Sequence, residues 1–315
     1  MISIICPVFN EEGYVGFLLE TYSKMAPVEK ELLVIDGGST DRTCAIVSDY
    51  MRKDSSVRLL ENPNRYVPYA LNLALPHCKG DYIVRWDAHT AYAPDYLTAV
   101  LATFARTGAD IVGGPMRAVG ENSFQRAVAK ATSSRFGVGN SSFHFEEYEG
   151  LTDSVYLGAW KRSVFEKIGH FDEQMWRNQD DEFHYRAKAA GLKIYQSPVI
   201  RSIYYPRNSV RSLFTQYFGY GLFKPLVLQK VRSQLRLRHL IPALFVAYLL
   251  SLPFLIGLLR AWAFSPLVTY VLFTIGYVRR GDSWPVRIAM IAVYPTLHIA
   301  YGLGFWVGLF RKPTL

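Results

Sequence analysis

Tyr82-Ile83-Val84-Arg85-Trp86-Asp87-Ala88-His89 decides how the chain is read: a β-prone apolar run stops at an Asp-x-His pair, and Ala93-Pro94-Asp95 then turns the chain. A strand ending this way delivers two metal-ligand side chains to the carboxyl edge of a sheet, where open α/β folds take their ligands. Taken alone, the segment is equally an aspartate capping the next helix with a histidine packed nearby. The flanking segments weigh between the two.

Upstream, Ile2 to Asn10 is a β-branched run that stops at a polar turn, and Tyr14 to Ser23 carries an amphipathic helical pattern. Glu31 to Asp36 is a second strand ending in an acid, Gly37-Gly38-Ser39-Thr40-Asp41 makes the turn, and Thr43 to Met51 is helical. This β-α-β-α order implies parallel strands whose carboxyl ends share one side, so Asn10, Asp36 and Asp87 are expected around one crevice. There an aspartate can accept a hydrogen bond from a nucleobase N–H where water is excluded, and an aromatic such as Phe9 can pack on the base. Gly37 and Gly38 allow close backbone approach to a ligand. The same four residues from Asp36 also read as a tight turn with an N-cap at Ser39 or Asp41.

The 315 residues are 50% apolar, 15% aromatic and 19% charged, too greasy for a simple soluble domain. The excess lies between His239 and Phe310, nearly free of acids. Most of the net charge of +9 falls in the second half, notably at Lys224, Lys230, Arg232, Arg236 and Arg238. A basic strip before an apolar run reads as a cytoplasmic segment facing anionic lipid. No nucleic-acid-binding motif accompanies the charge, so nucleic acid is not an expected partner. Cys6, Cys44 and Cys78 lack paired spacing and fit a reducing compartment rather than a disulfide framework or zinc site. No signal-peptide pattern is expected at the start.

Three apolar runs follow: Leu240 to Leu259, Ala261 to Val278 and Ile288 to Phe310. The positive-inside bias puts Lys230 to Arg238 and Arg279 to Arg287 in the cytoplasm, making the first two runs a hairpin. A crossing by the third would place Arg311 and Lys312 outside, against that bias, so it is also read as interfacial or re-entrant. His298 is read as a packed core histidine rather than a lipid-phosphate contact.

Pro7-Val8-Phe9-Asn10-Glu11, Val34 to Asp41 and Asp87-Ala88-His89, in this order and spacing, resemble glycosyltransferase family 2, inverting enzymes that use nucleotide sugars. The Trp-Asp-Ala-His variant and later segments resemble its bacterial exopolysaccharide glucosyltransferases of succinoglycan type. The resemblance implies the GT-A fold, a Rossmann-like α/β/α domain with a mostly parallel sheet, here over 1–237, followed by C-terminal transmembrane helices in 238–315. It implies that Asp36 contacts the base of a UDP-sugar, with Pro7, Phe9 and Glu11 lining that pocket. Gly38, Asn72 and Asp87 would complete the donor site, Asn72 facing the diphosphate. Asp87 and His89 would take the place of the Asp-x-Asp pair that holds a divalent ion. Imidazole in place of a carboxylate suits Mn2+ better than Mg2+, although either is expected. Arg65, in the loop from Asn62 to Pro68, reads as a solvated loop arginine rather than a phosphate ligand.

Ala109 to Met116 reads as a strand entering a glycine pair with backbone close to ligand, and Glu121 to Arg135 as a helix. Gly137 to Gly150 reads as a loop closing over donor or as a surface excursion. Asp180, Asp181 and Glu182 open a helix closed by Gly191, where carboxylates complement the helix dipole. The segment also resembles the family's Glu-Asp motif, Gln179 replacing the Glu. That alignment makes Asp180 the catalytic base and Asp181 the alternative. The implied chemistry is a direct displacement by an acceptor hydroxyl, giving a β-linkage from an α-linked donor. Gly158 and Trp160 are expected on the acceptor side. Gln216-x-x-Gly219-Tyr220 stands where processive relatives carry Gln-x-x-Arg-Trp, so Gln216 and Tyr220 are acceptor candidates, and the lost arginine argues for adding one sugar. That helix also reads as interfacial.

The expected activity is transfer of a hexose, glucose, from a UDP-sugar to a lipid-linked saccharide in polysaccharide biosynthesis. The setting is multi-pass in the inner membrane with the catalytic domain cytoplasmic. The alternatives are a polyprenyl-phosphate hexosyltransferase and a non-catalytic nucleotide-sugar-binding scaffold.

Overall fold

β1 (Ile2–Val8) and β2 (Lys30–Asp36) are buried along nearly their whole length, as apolar strands covered on both faces must be. They run parallel in a register that sets Ile2 against Lys30 and Val8 against Asp36. Between them runs α1 (Val15–Lys24); α2 (Thr43–Met51), β3 (Val57–Glu61) and α3 (Val67–Ala74) lead to β4 (Tyr82–Arg85), parallel to β1 with Arg85 opposite Ile5. After the short β5 (Ala91–Tyr92) come α4 (Tyr96–Thr107), β6 (Ile111–Gly114) and β7 (Arg117–Ala118). The computed structural model describes residues 1–231 and 235–310; Arg232, Arg311 and Lys312 lie outside the described residues.

The chain continues through α5 (Ser123–Thr132), α6 (Arg135–Val138), β8 (Gly150–Leu151), β9 (Tyr156–Lys161), α7 (Arg162–Ile168), α8 (Gln179–Ala189), β10 (Ile194–Gln196) and β11 (Ser202–Tyr204). The main sheet has the order β3-β2-β1-β4-β9-β6-β10-β8, parallel except where β9 and β8 join it. Leu18, Val47 and Val100 from α1, α2 and α4 fill one face of it, and Leu71, Phe165 and Phe183 from α3, α7 and α8 fill the other. The result is an α/β/α sandwich in which the adjacent strands β2, β1 and β4 all end on the side that carries Asp36, Asn10 and Asp87.

Two compact units divide the chain: Met1–Arg117 with Phe145–Tyr204, and Ala118–His144 with Tyr205–Leu315. The second unit therefore gathers α5 and α9 (Val210–Lys230), which lie before residue 238, with α10 (Leu237–Leu259), α11 (Ser265–Val278) and α12 (Trp284–Leu309). Its centre is α12. Val286, Met290, Val293 and Tyr294 of α12 pack on Ala127, Val128 and Ala131 of α5 and Leu213 of α9. Further along, Gly302, Gly304 and Gly308 bring the helices into backbone contact: a Cβ on Gly304 would lie 2.1 Å from the Phe218 carbonyl oxygen, and one on Gly302 2.3 Å from that of Pro242. His298 is a packed histidine, its Nδ1 2.9 Å from the Tyr270 hydroxyl and its Nε2 2.8 Å from the Phe136 carbonyl.

Two segments are long and apolar enough to cross a membrane, Leu237–Val278 with mean hydropathy 2.2 and Trp284–Leu309 with 1.5. In their most apolar windows only 11% of the first is buried, against 50% of the second. The first is a hairpin: Arg260 turns the chain at φ 52°, and Tyr248 of α10 donates to the Ala263 carbonyl beyond the turn.

Two sequence expectations change. The helix expected from Glu121 to Arg135 stops at Thr132, because Ser134 caps a new turn by accepting from the Gly137 N–H. Gly113 and Gly114 serve strand packing rather than a ligand, since Cβ atoms there would meet the Val155 side chain at 2.6 Å and the Ile200 carbonyl at 1.9 Å. Replacing Gly304 with alanine is expected to part α9 from α12 and cost about 1–3 kcal/mol. Thermal unfolding of the full chain in micelles measures this, and an unchanged Tm would contradict the close packing.

Candidate active site

Three loops meet at the carboxyl ends of β1 and β2. Asp36 is buried at the end of β2, and its Oδ2 accepts from the N–H groups of Gly38 (2.9 Å) and Ser39 (3.0 Å), which makes the tight turn, while the N-cap position of α2 is Arg42 rather than Ser39 or Asp41. Asn10 ties this turn to the end of β1: its N–H donates to Ser39 Oγ and its Oδ1 accepts from the Thr40 N–H, both at 2.8 Å. The third loop crosses here because residue 37 is glycine; a Cβ would lie 2.8 Å from the Arg65 carbonyl oxygen. Arg65 is not merely solvated, since its guanidinium sits 4.0 Å over the Phe9 ring. Pro7 stays within β1 opposite Ile35.

At the end of β4, strand alternation separates the side chains of Trp86 from those of Arg85 and Asp87. Trp86 enters the core and stacks on Tyr92 at 4.3 Å. Arg85 and Asp87 form a fork, with Nε and Nη2 donating to Asp87 Oδ1 at 3.1 and 3.0 Å, and only 13% and 23% of the two side chains exposed. Asp180, in the first turn of α8, completes the group. The Asp87 and Asp180 carboxylates together hold the Arg85 guanidinium firmly charged against its own burial. Burial and the neighbouring Asp181 carboxylate raise the pKa of Asp180 above the ordinary aspartate value, and Arg85 opposes them.

Further along α8, His184 is fully buried and its Nδ1 lies 2.9 Å from Ser154 Oγ, while burial depresses its pKa to about 4, leaving a neutral ring at neutral pH. His89 Nδ1 lies 3.0 Å from Glu11 Oε1. An ionised carboxylate only accepts, so Nδ1 is the protonated nitrogen and the lone pair of a neutral ring is on Nε2. This draws Glu11, expected in the base pocket, to the histidine instead.

Other expected residues are placed differently. Trp160 is 2% exposed and packs among Phe165, Phe171 and Phe183, so it offers no acceptor platform. Gly158 makes room for that indole, because a Cβ would meet its ring at 2.7 Å and His184 Nε2 at 3.3 Å. Asn72 does not face a diphosphate: its amide donates to the Phe171 carbonyl and Glu173 and accepts from the Phe171 N–H, bracketing α3 to the loop before α8. Gln216 and Tyr220 lie on α9 in the second unit, the amide donating to the phenol oxygen at 3.0 Å. Arg85 had no role assigned from sequence. Its position two residues before Asp87 on a strand, which puts both on one face, was the available signal.

Among the described residues no group of three or more His, Cys, Asp or Glu forms a metal cluster. The pair Asp87 and His89 offers one oxygen and one nitrogen, and the Glu11 contact orients the imidazole as a ligating histidine is usually oriented. Such a pair suits a divalent ion whose remaining positions are filled from the donor or by water.

A doubly covered, mostly parallel sheet with acids at the carboxyl ends of β2 and β4 is the GT-A class of fold. Residues 3–169 match the model of the family described as "Glycosyl transferase family 2". The chain belongs to glycosyltransferase family 2. It is 30% identical to the succinoglycan biosynthesis protein ExoA of Rhizobium meliloti, over 96% of this chain and 93% of that one. It is 29% identical to a dolichyl N-acetyl-alpha-D-glucosaminyl phosphate 3-beta-D-2,3-diacetamido-2,3-dideoxy-beta-D-glucuronosyltransferase of Methanococcus voltae, over 98% and 97%. Its fold matches the mannosyltransferase PcManGT of Pyrobaculum calidifontis, solved with GDP-Man and Mn2+, at TM-score 0.62 and 18% identity, covering 94% of this chain and 86% of that one. TarS 1-349 of S. aureus, solved with UDP-GlcNAc, matches at TM-score 0.53 and 17% identity over 95% and 90%.

The raised pKa of Asp180 has a stability consequence. A carboxyl whose folded pKa exceeds its unfolded pKa adds stability below the unfolded value, near ~3.9, and loses it as pH rises through the folded value. Asp180→Asn removes that cost at neutral pH while keeping the oxygen that accepts from the Asp181 N–H. Its Tm is expected to exceed wild type at neutral pH. The gain should vanish in acid, and scanning calorimetry at the two pH values would expose a loss instead.

Proposed function

We propose that the chain transfers glucose from UDP-glucose to a hydroxyl of a lipid-linked saccharide, inverting the anomeric configuration. The observation that carries the reading is the Arg85 guanidinium, hydrogen-bonded to Asp87 and within electrostatic reach of Asp180 in the first turn of α8. It joins a carboxylate suited to a metal-bound diphosphate to a carboxylate suited to proton removal. Asp36, Phe9, Gly38 and Arg65 receive the uridine. Asp180 takes the proton of the attacking hydroxyl, and its raised pKa brings a weak base nearer to working pH. Asp87 and His89 would hold a divalent ion, Mn2+ or Mg2+, which when bound would supply positive charge to the leaving diphosphate. Arg85 holds the Asp87 carboxylate in place.

Support for the acceptor class comes from two relatives, one named for succinoglycan biosynthesis and one for transfer to a dolichyl-linked sugar. Support for the membrane comes from the apolar, little-buried hairpin of α10 and α11. Lys230, Arg236, Arg238 and Arg279 to Arg287 flank it and favour a cytoplasmic catalytic domain in the inner membrane. On this reading residues 1–237 are catalytic and 238–315 form the anchor.

Full-length protein in micelles, given labelled UDP-glucose, Mn2+ and a membrane lipid extract, is expected to label an extractable lipid-linked saccharide. Asp87→Ala and Asp180→Asn are each expected to lower turnover at least ~100-fold, Asp180→Asn with UDP affinity kept. Transfer from a different nucleotide sugar alone would overturn the choice of donor, and full activity of Asp180→Asn would overturn the base. Because the base works ionised, kcat/KM should fall in acid through a pKa above the ordinary aspartate value. Asp181→Asn, which removes the like charge, should move that limb to lower pH; a shift the other way contradicts the assignment.

A further inference from the structure

Tyr66 and Trp176 stack face to face, ring centroids 4.2 Å apart and planes 5° from parallel, yet remain 40% and 37% exposed. Tyr66 lies in the loop before α3 and Trp176 in the loop before α8. Tyr66 follows Arg65, whose guanidinium reaches back over Phe9 on the donor side. Trp176 precedes Asp180 by four residues, at most about 14 Å of chain. Successive residues of one loop thus contact two different segments, Arg65 the Phe9 ring and Tyr66 the loop that leads to the proposed base.

Fastening the two loops does not account for this stack. Asn72 already joins α3 to the segment before α8 with three hydrogen bonds. Two large rings held in solvent forgo the burial that ordinarily rewards them. A flat aromatic surface of this kind is matched by the C–H face of a pyranose ring, which is apolar and carries its hydroxyls on the rim. The acceptor hydroxyl must reach Asp180, so the rest of the acceptor saccharide extends one or two sugar widths from it.

We infer that the Tyr66–Trp176 stack is a binding face for a pyranose ring of the acceptor saccharide, an inference that rests on the glycosyl-transfer reading above. It fixes the acceptor beside Asp180 and favours acceptors longer than one sugar.

The test uses octyl β-lactoside as an alkyl disaccharide probe, with the full-length chain in sugar-free amine-oxide micelles, and titrates probe and UDP separately by calorimetry. Trp176→Ala is expected to weaken the probe about five- to tenfold, and Trp176→Phe, which keeps a ring, clearly less. UDP affinity should stay within about twofold in both. Equal loss of UDP affinity would assign the rings to the donor and overturn the inference. A fall in Tm with unchanged probe affinity would reduce the stack to a fastening and also overturn it, as would wild type that binds UDP but not the probe. Wild type that fails to bind UDP would bring down the glycosyl-transfer reading itself, and this inference with it.

Discussion

The site depends on how one guanidinium is shared. Asp87, Asp180 and Asp181 crowd the carboxyl edge of the sheet, and Glu11 stands nearby against His89. Arg85 is the cation that meets Asp87 directly and lies within electrostatic reach of Asp180. Withdrawing one partner of a largely buried pair leaves an uncompensated charge, a loss of about 3–5 kcal/mol. The same arithmetic explains why the crevice suits a cation. Carboxylates outnumber the guanidinium around Asp87, so a bare diphosphate would enter against the field. A divalent ion between Asp87 and His89 would reverse that sign and make the anion welcome.

Backbone strain gathers at the same edge. Asn10, Arg65, Leu157 and Asn178 adopt φ of 54°, 65°, 43° and 59°, in the left-handed region that residues other than glycine rarely occupy. Asn10 leaves β1, Arg65 precedes α3, Asn178 precedes α8, and Leu157 lies at the start of β9, which runs against its neighbours and so begins at the carboxyl edge. Three of the bends place a neighbouring group at that edge: Asn10 the turn over Asp36, Arg65 the guanidinium on Phe9, and Asn178 the first turn with Asp180. Strain of this order persists only where the surroundings fix it, here the Asn10 hydrogen bonds and the Asn72 bracket.

What the amino-acid order reveals follows from the range of each interaction. The β-α-β-α alternation, the strand ends at Asp36 and Asp87 and the acids opening α8 are local patterns, and the structure forms those elements where the patterns lie. Trp160 was misplaced because a strand flanked by glycine and aromatic residues does not reveal which face is the core; the indole went inward with Phe165, Phe171 and Phe183. Asn72 was misplaced because its partners lie 99 and 101 residues away, beyond any periodicity. Glu11 likewise meets His89 across 78 residues. The Arg85–Asp87 fork spans two residues and was legible in principle, but a guanidinium beside a presumed metal ligand is read as scenery until its geometry is known.

The helical unit poses the opposite problem, since its composition was plain and its packing was not. The third apolar run behaves as the centre of the unit: α12 buries Val286, Met290, Val293, Tyr294 and Leu297 and admits its neighbours at Gly302, Gly304 and Gly308. Two of its polar side chains are satisfied by neighbouring helices, His298 by Tyr270 and the Phe136 carbonyl, and Trp306 by the Ala243 carbonyl. The hairpin of α10 and α11 does the reverse, leaving Leu250, Phe254, Leu258, Trp262 and Leu272 largely uncovered. A contiguous apolar face of that kind is not stable against water. At about 1.5 Å per residue, the 23 residues of α10 reach roughly 35 Å, the thickness of a hydrocarbon core with a little to spare. The hairpin thus has the surface of a lipid-facing element and α12 that of a helix held by other helices. By length and hydropathy both the hairpin and α12 are candidate spans, and the contrast between them is one of burial, 11% against 50% in their most apolar windows.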